Sequence, residues 1–342
     1  MTLCFNSVTQ DIHRGIQMKI ITQLPTVSIV VPNYNGAATI GATLQSLIDQ
    51  NYSKLEIIVV DGGSTDNSVE VIKQFEPHIT WWVSEKDSGQ SNAINKGFAQ
   101  CTGEIVNWLC SDDMLTPGAL HTVGKYFAES PDTDVLVGRC RMEFVNGNKA
   151  GFLKGVSSWM TLFDRILRSG ERSRYIIVDE ENDKGYIKAP TLKHIALMPV
   201  HCPIAQPSCF YRRKLLDRPK PIDESYEYAM DFELWTYFLS RGLKWQVIDE
   251  VLSINPVSGE NKTSIAGMKG IEEAERIYKT YVKEWIPLTF WHKQLRYPIE
   301  RFMKRHRGGI WLYLLSPVWM SLTLILAPFY GFERVWALRW TR

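Results

Sequence analysis

A chain of 342 residues with 45% apolar and 22% charged content is long enough for one large α/β domain, or a domain plus an appendage, and is neither disordered nor fibrous. Its net charge of +2 hides an asymmetry. Nine Lys or Arg face two acidic residues from Trp285 onward, leaving 30 basic against 35 acidic upstream, so only the tail suits an anionic surface, and no nucleic-acid partner is expected.

The six cysteines are scattered (Cys4, Cys101, Cys110, Cys140, Cys202, Cys209), without a C-x-x-C pair or matching histidine spacing, and suggest neither a zinc site nor a disulfide framework. Residues 1–24 carry charges at Asp11, Arg14 and Lys19 and lack the apolar run and cleavage site of a signal peptide. They are expected to form a loose leader.

From Val27 onward, short β-branched runs alternate with helix-period segments. Val27–Val31, a helix with Ile40, Leu44, Leu47 and Ile48 on one face, and Leu55–Val60 open a βαβ unit. The rhythm continues with helices over Ser68–Phe75 and Gln90–Ala99 and strands at Ile79–Val83 and Glu104–Leu109. Thr116 and Pro117 have the pattern of an N-cap and first helical residue for a helix through Ala128. This alternation predicts a doubly wound, mostly parallel, Rossmann-like sheet with ligands outside the carboxyl ends of its strands.

After Gly138 the period changes, and Arg139–Phe144, Asn146-Gly147-Asn148 and Ala150–Leu153 predict a hairpin. Residues 155–199 give no assignable element. Ser208–Tyr211, Lys244–Val247 and Val251–Ile254 predict strands, and about Tyr228–Arg241 a helix ended by Gly242. The chain divides in this reading into the leader, a nucleotide-binding half (25–138), an acceptor half (139–284) and a tail (285–342).

Each early strand ends in polar or acidic residues: Asn33, then Asp61, then Glu85 and Asp87, then Asp112 and Asp113. Carboxylates gathered on one rim repel unless a cation or donors lie between them. Taken singly, each also suits a helix cap or a turn.

Four strings, Val27–Gly36 (VSIVVPNYNG), Glu56–Asp66 (EIIVVDGGSTD), Ser84–Gly97 (SEKDSGQSNAINKG) and Thr102–Asp113 (TGEIVNWLCSDD), resemble in order and spacing the blocks of family-2 glycosyltransferases with the GT-A fold. The likeness covers roughly residues 26–120. It implies a nucleotide-diphospho-sugar donor, with Asp61 accepting from the N3–H of a uracil-type base, Pro32, Asn33 and Tyr34 flanking base and ribose, and Asp87 and Asn92 in the same donor site.

Ser111-Asp112-Asp113 stands where the family has D-x-D. The resemblance makes Asp113 the ligand of a Mg²⁺ or Mn²⁺ bridging the diphosphate, with Asp112 near the ribose; hard oxygen ligands suit such an ion. Asp61 is followed by Gly62 where many relatives have a second Asp, and Asp66 is expected to cap the next helix. Neither a P-loop, a G-x-G-x-x-G fingerprint nor kinase strings occur.

Inversion at an anomeric carbon needs a carboxylate to take the acceptor proton. Tyr228–Trp235 (YAMDFELW) resembles the family's acidic motif at a helix start, so Asp231 is the candidate base and Glu233 the reserve; the plain alternative is a capping carboxylate. His201–Arg213 resembles the acceptor-side strand, with Gln206 and Arg212 as contacts. Lys262, in the segment Asn255–Ser264 that resembles a loop closing over the diphosphate, could supply positive charge.

Residues 308–332 carry no charge, contain Pro317 and Pro328, and lie between basic flanks, and six of the twelve tryptophans fall in Trp285–Trp340. This composition predicts an apolar helical tail attached to the membrane from the cytoplasmic face, as a re-entrant or interfacial hairpin or one span; a hairpin buried against the body or a partner protomer is the alternative. Trp336–Trp340 (WALRW) superficially resembles the Q-x-x-R-W string of processive synthases but lacks the Gln, which favours single addition.

The expected protein is a metal-dependent inverting transferase moving one sugar, from a UDP-sugar by preference, to a glycan or lipid-linked acceptor in cell-envelope or polysaccharide synthesis. The competing expectation is a membrane-tethered, non-catalytic nucleotide-sugar-binding protein.

Overall fold

The computed structural model describes residues 23–144, 176–179, 184–187, 190–198, 200, 202–257, 267–306 and 310–338. The leader up to residue 22, the Asn146-Gly147-Asn148 turn with its return strand, His201 and Lys262 lie outside the described residues.

The first half follows the expected alternation: β1 (Val27–Asn33), α1 (Ile40–Ile48), β2 (Leu55–Asp61), α2 (Ser68–Phe75), β3 (Trp81–Ser84), α3 (Gln90–Phe98) and β4 (Ile105–Trp108). β3, β2, β1 and β4 pair in parallel in that order. Both faces of β1 and β2 are covered. Val30 and Ile58 enter one apolar cluster with α3, while Ile29, Val31, Ile57 and Val59 enter a second with α1 and α2. A run such as VSIVV is therefore continuous rather than alternating, as a parallel strand buried on both sides requires.

Next come β5 (Met114–Leu115), α4 (Ala119–Glu129), β6 (Val135–Phe144), β7 (Ile176–Asp179), β8 (Lys184–Ile187), α5 (Leu192–Ile195), β9 (Cys209–Arg212), α6 (Met230–Ser240) and β10 (Trp245–Val257). The sheet order is β3-β2-β1-β4-β9-β6-β10-β5, with β8 and β7 extending from β6. This corrects the mostly parallel expectation to a mixed sheet. β9 runs antiparallel between β4 and β6, and β5 and β8 are antiparallel to β10 and β6. Short polar-flanked strands carry no sign of direction in their residues, since pairing partners distant in sequence decide it.

The sheet is continuous across the proposed boundary at 138/139, which falls inside β6. Lys244–Val247 and Val251–Ile254 are one strand, broken in register against β6 by an irregularity around residue 251. Thr116 does not cap α4: its hydroxyl donates to the Val251 carbonyl, and left-handed Gly118 (φ +76°) precedes the helix instead. Pro117 thus sits in the turn before α4 rather than in its first turn.

The C-terminal segment is helical: α7 (Gly267–Tyr281), α8 (Leu288–Trp291), α9 (Tyr297–Arg305), α10 (Ile310–Tyr330) and α11 (Phe332–Ala337), with a π-turn at His292–Arg296. Leu326, Val335 and Leu338 pack with Tyr278, Leu288 and Val200, so the tail is docked on the body. Among the described residues no helix is long and apolar enough to cross a membrane.

Candidate active site

Asp61, the last residue of β2, has no exposed surface. Its oxygens accept from Asn33 Nδ2 at 2.7 Å, the Ser64 amide at 2.9 Å, the Ser64 hydroxyl at 2.5 Å and the Ser84 hydroxyl at 2.6 Å. Burial works against its ionisation, but these hydrogen bonds outweigh burial and hold the carboxyl below its usual range. Four donors fill its four lone-pair directions. These bonds tie Asp61 to the loops that follow β1, β2 and β3.

Those loops are laced together. The Asn35 side chain accepts from the Thr65 amide at 2.8 Å, and Asp66 accepts from the Ala37 and Ser68 amides, each at 3.0 Å. The N-cap of α2 is Asn67 rather than Asp66; Asp66, one residue earlier, holds the first α2 amide and ties the helix entry to the β1 loop. Pro32 and Asn33 are buried, while the Tyr34 ring is 64% exposed at the mouth. A methyl on Gly36 would collide with the Asn33 side-chain oxygen Oδ1 and sit 2.9 Å from the Ser111 hydroxyl. That close approach joins the β1 loop to the Ser111-Asp112-Asp113 turn after β4.

Gly62 has a comparable reason. A Cβ there would lie 2.6 Å from the Asp87 carboxylate, so a second aspartate at that position would have to displace the Asp87 side chain. Asp87 itself accepts from the Gly89 amide at 2.8 Å at the start of α3. Asn92, on the first turn of α3, donates to Glu224 at 3.2 Å.

Asp113 is 3% exposed, and Asn255 Nδ2 on β10 donates to it at 2.7 Å. Burial, with the neighbouring Asp112 charge adding to it, raises this carboxyl well above its usual range despite the Asn255 bond. Ligand atoms of Cys110, Asp112 and Asp113 lie within 4.8 Å of one another. The two carboxylates fit a Mg²⁺ or Mn²⁺ ion, which would relieve the buried charge. The Cys110 sulphur, a softer donor contacted by Gln90 Nε2 at 3.2 Å, does not suit Mg²⁺.

Asp231 lies in the first turn of α6, where its carboxylate accepts from the Phe232 amide at 2.7 Å. Two contacts set this helix on the same rim as Asp113. Trp235 stacks on Trp108 at the end of β4 with centroids 5.8 Å apart, a pair worth about 0.5–1.5 kcal/mol beyond its burial. Ser91 at the start of α3 contacts the Tyr226 carbonyl at 3.1 Å and the Met230 sulphur at 3.0 Å.

Three other assignments fare differently. Glu233 is 3% exposed and is held by Arg218 at 2.5 Å and by the Tyr281 hydroxyl; the reserve base is corrected to a buried structural ion pair, because both its oxygens are taken by Arg218 and Tyr281. Arg212 is corrected too. It pairs with Ile105 at the opposite end of β4 from the cleft, forms an ion pair with Glu104, and donates to the Thr133 and Pro131 carbonyls at 2.7 and 2.8 Å. Gln206 stays near the rim, donating to Asn107 at 3.1 Å and the Trp108 carbonyl at 2.8 Å.

Two residues gave no signal in the sequence. Asn255 sits in a polar stretch and meets Asp113 only because β10 joins the sheet. Glu273 on α7 accepts from three successive amides, Glu227, Tyr228 and Ala229, each at 2.8 Å, at the entry to the Asp231 helix. Arg276 holds the same segment, its guanidinium 3.7 Å from the Tyr226 ring centroid and donating to the Ser225 carbonyl at 2.7 Å.

Removing Asp61 would take the acceptor from four donors, of which the Asn33 amide is buried, so Asp61→Ala is expected to lower unfolding free energy by about 1–3 kcal/mol in urea titrations. Because the folded pKa of Asp61 is depressed, its contribution is present above the unfolded value near ~3.9 and lost as pH falls through the folded value. Asp61→Asn should therefore flatten the acid limb of the stability curve; an unchanged acid limb would show that other carboxylates control it.

Residues 28–193 match the family model described as Glycosyl transferase family 2. An uncharacterised glycosyltransferase of Rickettsia typhi is 26% identical over 273 residues, 78% of this chain and 74% of its own length. An uncharacterised glycosyltransferase of Nostoc sp. is 35% identical over 125 residues, 36% of this chain; the matched segment spans only 38% of that relative. Among solved structures, S. aureus TarS 1–349 in complex with UDP-GlcNAc superposes with a TM-score of 0.53 at 18% identity, over 91% of this chain and 89% of that one. The likeness extends to the fold.

Proposed function

We propose, from the premise that this chain belongs to glycosyl transferase family 2 through residues 28–193, that it moves a single sugar from a UDP-sugar to a glycan or lipid-linked acceptor with inversion, at the cytoplasmic face of a membrane, in cell-envelope or polysaccharide synthesis. The observation that supports this reading is that the Asn33–Tyr34 loop closes on Ser111 beside the Asp112–Asp113 pair, while Ser91 at the start of α3 contacts Met230 at the start of the Asp231 helix. TarS, which has this fold, was solved with UDP and with UDP-GlcNAc, and that is the support for a uridine donor.

In this reading Tyr34 covers the base, and Asp61 acts through Asn33 and Ser64 to hold the loops that seat it. Asp112 and Asp113 would hold Mg²⁺ or Mn²⁺, which when bound neutralises the diphosphate. Asp231 takes the proton of the acceptor hydroxyl as that oxygen bonds to the anomeric carbon; the anomeric C–O bond breaks on the opposite side, and its electron pair leaves with UDP. Asn255 orients Asp113, and Glu273 orients the backbone that carries Asp231.

A panel of nucleotide sugars, with and without Mn²⁺, tests the reading by melting temperature and by release of free nucleotide. A UDP-sugar is expected to raise the melting temperature, since it binds the native state, and to release UDP slowly alone and faster with acceptor. No shift and no UDP release with any sugar nucleotide would end it; a shift without any turnover would favour the non-catalytic binder.

A further inference from the structure

In α10 burial divides the helix lengthwise. Trp319, Thr323 and Leu326 are buried, whereas Trp311, Leu314, Val318, Leu324, Ile325 and Phe329 stand 47–80% exposed. At 100° per residue the exposed positions 311, 314, 318, 325 and 329 fall within about 60° of arc, and the buried 319, 323 and 326 fall within a separate arc of about 60°. Helix propensity and internal burial leave this outer stripe unexplained. Ten of the thirteen large apolar side chains exposed among the described residues follow residue 284, and a concentrated patch of this kind marks an interaction surface.

The buried side anchors the helix. Trp319 donates to Glu300 at 2.9 Å, the Arg296 guanidinium lies 4.3 Å from the Trp319 ring centroid, and Met303, Trp319 and Trp336 pack together. Crossing a bilayer would strip these contacts and carry Glu300 and Arg296 toward hydrocarbon. Lying in the plane of the surface keeps them.

Charge identifies what covers the stripe. Exposed Arg301 and Arg305 on α9 flank its N-terminal end, where Phe302 meets Trp311 with centroids 5.7 Å apart. From Trp285 onward the chain carries nine basic residues against two acidic ones. A second tail of the same charge would be repelled, whereas anionic headgroups would be drawn to the arginines while acyl chains receive the apolar side chains.

We infer that the outer face of α10, with Arg301 and Arg305 beside it, is an in-plane docking surface for an anionic lipid bilayer, which the helix enters from one side without crossing. The inference does not depend on the transferase reading.

Flotation of the full chain with vesicles tests it. The wild-type chain should float with phosphatidylglycerol-containing vesicles, weakly with pure phosphatidylcholine, and less as salt rises. Val318→Glu with Ile325→Glu, at exposed positions remote from the cleft, should cut partitioning at least tenfold with melting temperature and nucleotide-sugar binding unchanged. Arg301→Glu with Arg305→Glu should abolish the preference for anionic vesicles while leaving the apolar face intact, which keeps the idea testable if the first pair perturbs folding. Failure of the wild-type chain to float, equal flotation with both lipids, or a concentration-dependent dimer that the Glu pair converts to monomer in place of vesicle binding would each overturn it; the last would make a second copy the occupant.

Discussion

Asp113→Asn is expected to lose turnover by at least ~100-fold while making the metal-free fold more stable. The two effects have one cause. Asp113 is buried beside Asp112 and accepts from Asn255, and burial first and Asp112 second push its carboxyl well above the usual range. An acid whose folded pKa is raised contributes stability that is complete below its unfolded value and lost as pH rises through the folded one. The amide of Asn keeps an acceptor for Asn255 and carries no charge. Its melting temperature at neutral pH should therefore exceed wild type by an amount on the order of a few degrees, and the difference should vanish toward pH ~4. Mn²⁺ should stabilise the wild-type chain and leave Asp113→Asn nearly unmoved. Equal stabilisation of both by Mn²⁺ would place the ion elsewhere.

Asp231→Asn is expected to lower kcat by roughly 10²–10⁴-fold, the usual contribution of a positioned base, while the melting-temperature rise produced by a UDP-sugar stays the same. The Phe232 amide would still find an acceptor in the Asn side chain, so folding is spared. Full activity in this variant would remove Asp231 as the base. Glu273→Gln provides a graded counterpart: the three amides lose an anionic acceptor, and kcat should fall about tenfold with donor KM unchanged, since a shift of the helix entry is felt at the base and not at the nucleotide. A cap that only stabilised the fold would lower the melting temperature and leave kcat at 25 °C intact.

The elements of residues 27–108 and the four loops after their strands could be read from the chain. Parallel strands buried on both faces must be apolar throughout, and the helices between them must show one apolar stripe, so hydrophobic period and turn chemistry carry the whole pattern locally. Asp61, Asp113 and Asp231 stood out for the same reason: each follows or opens an element at a place where a carboxylate has work to do. Their partners did not stand out.

Whether a carboxylate is an exposed ligand, a saturated hub or half of a buried ion pair depends on groups brought in from far along the chain. Asp61 meets Ser84 from β3, Asp113 meets Asn255 from β10, Glu233 meets Arg218 and Tyr281, and Arg212 meets Glu104 at the far end of β4. Strand direction in the second half belongs to the same class, because β9 is antiparallel only by virtue of its neighbours. Residue types by themselves thus determined the strand–helix framework of the first half, the acidic rim and the basic balance of the tail. Tertiary packing decided which of those acids could still act, and which face of α10 was left outside, since burial and hydrogen-bond satisfaction arise only where segments distant in sequence meet.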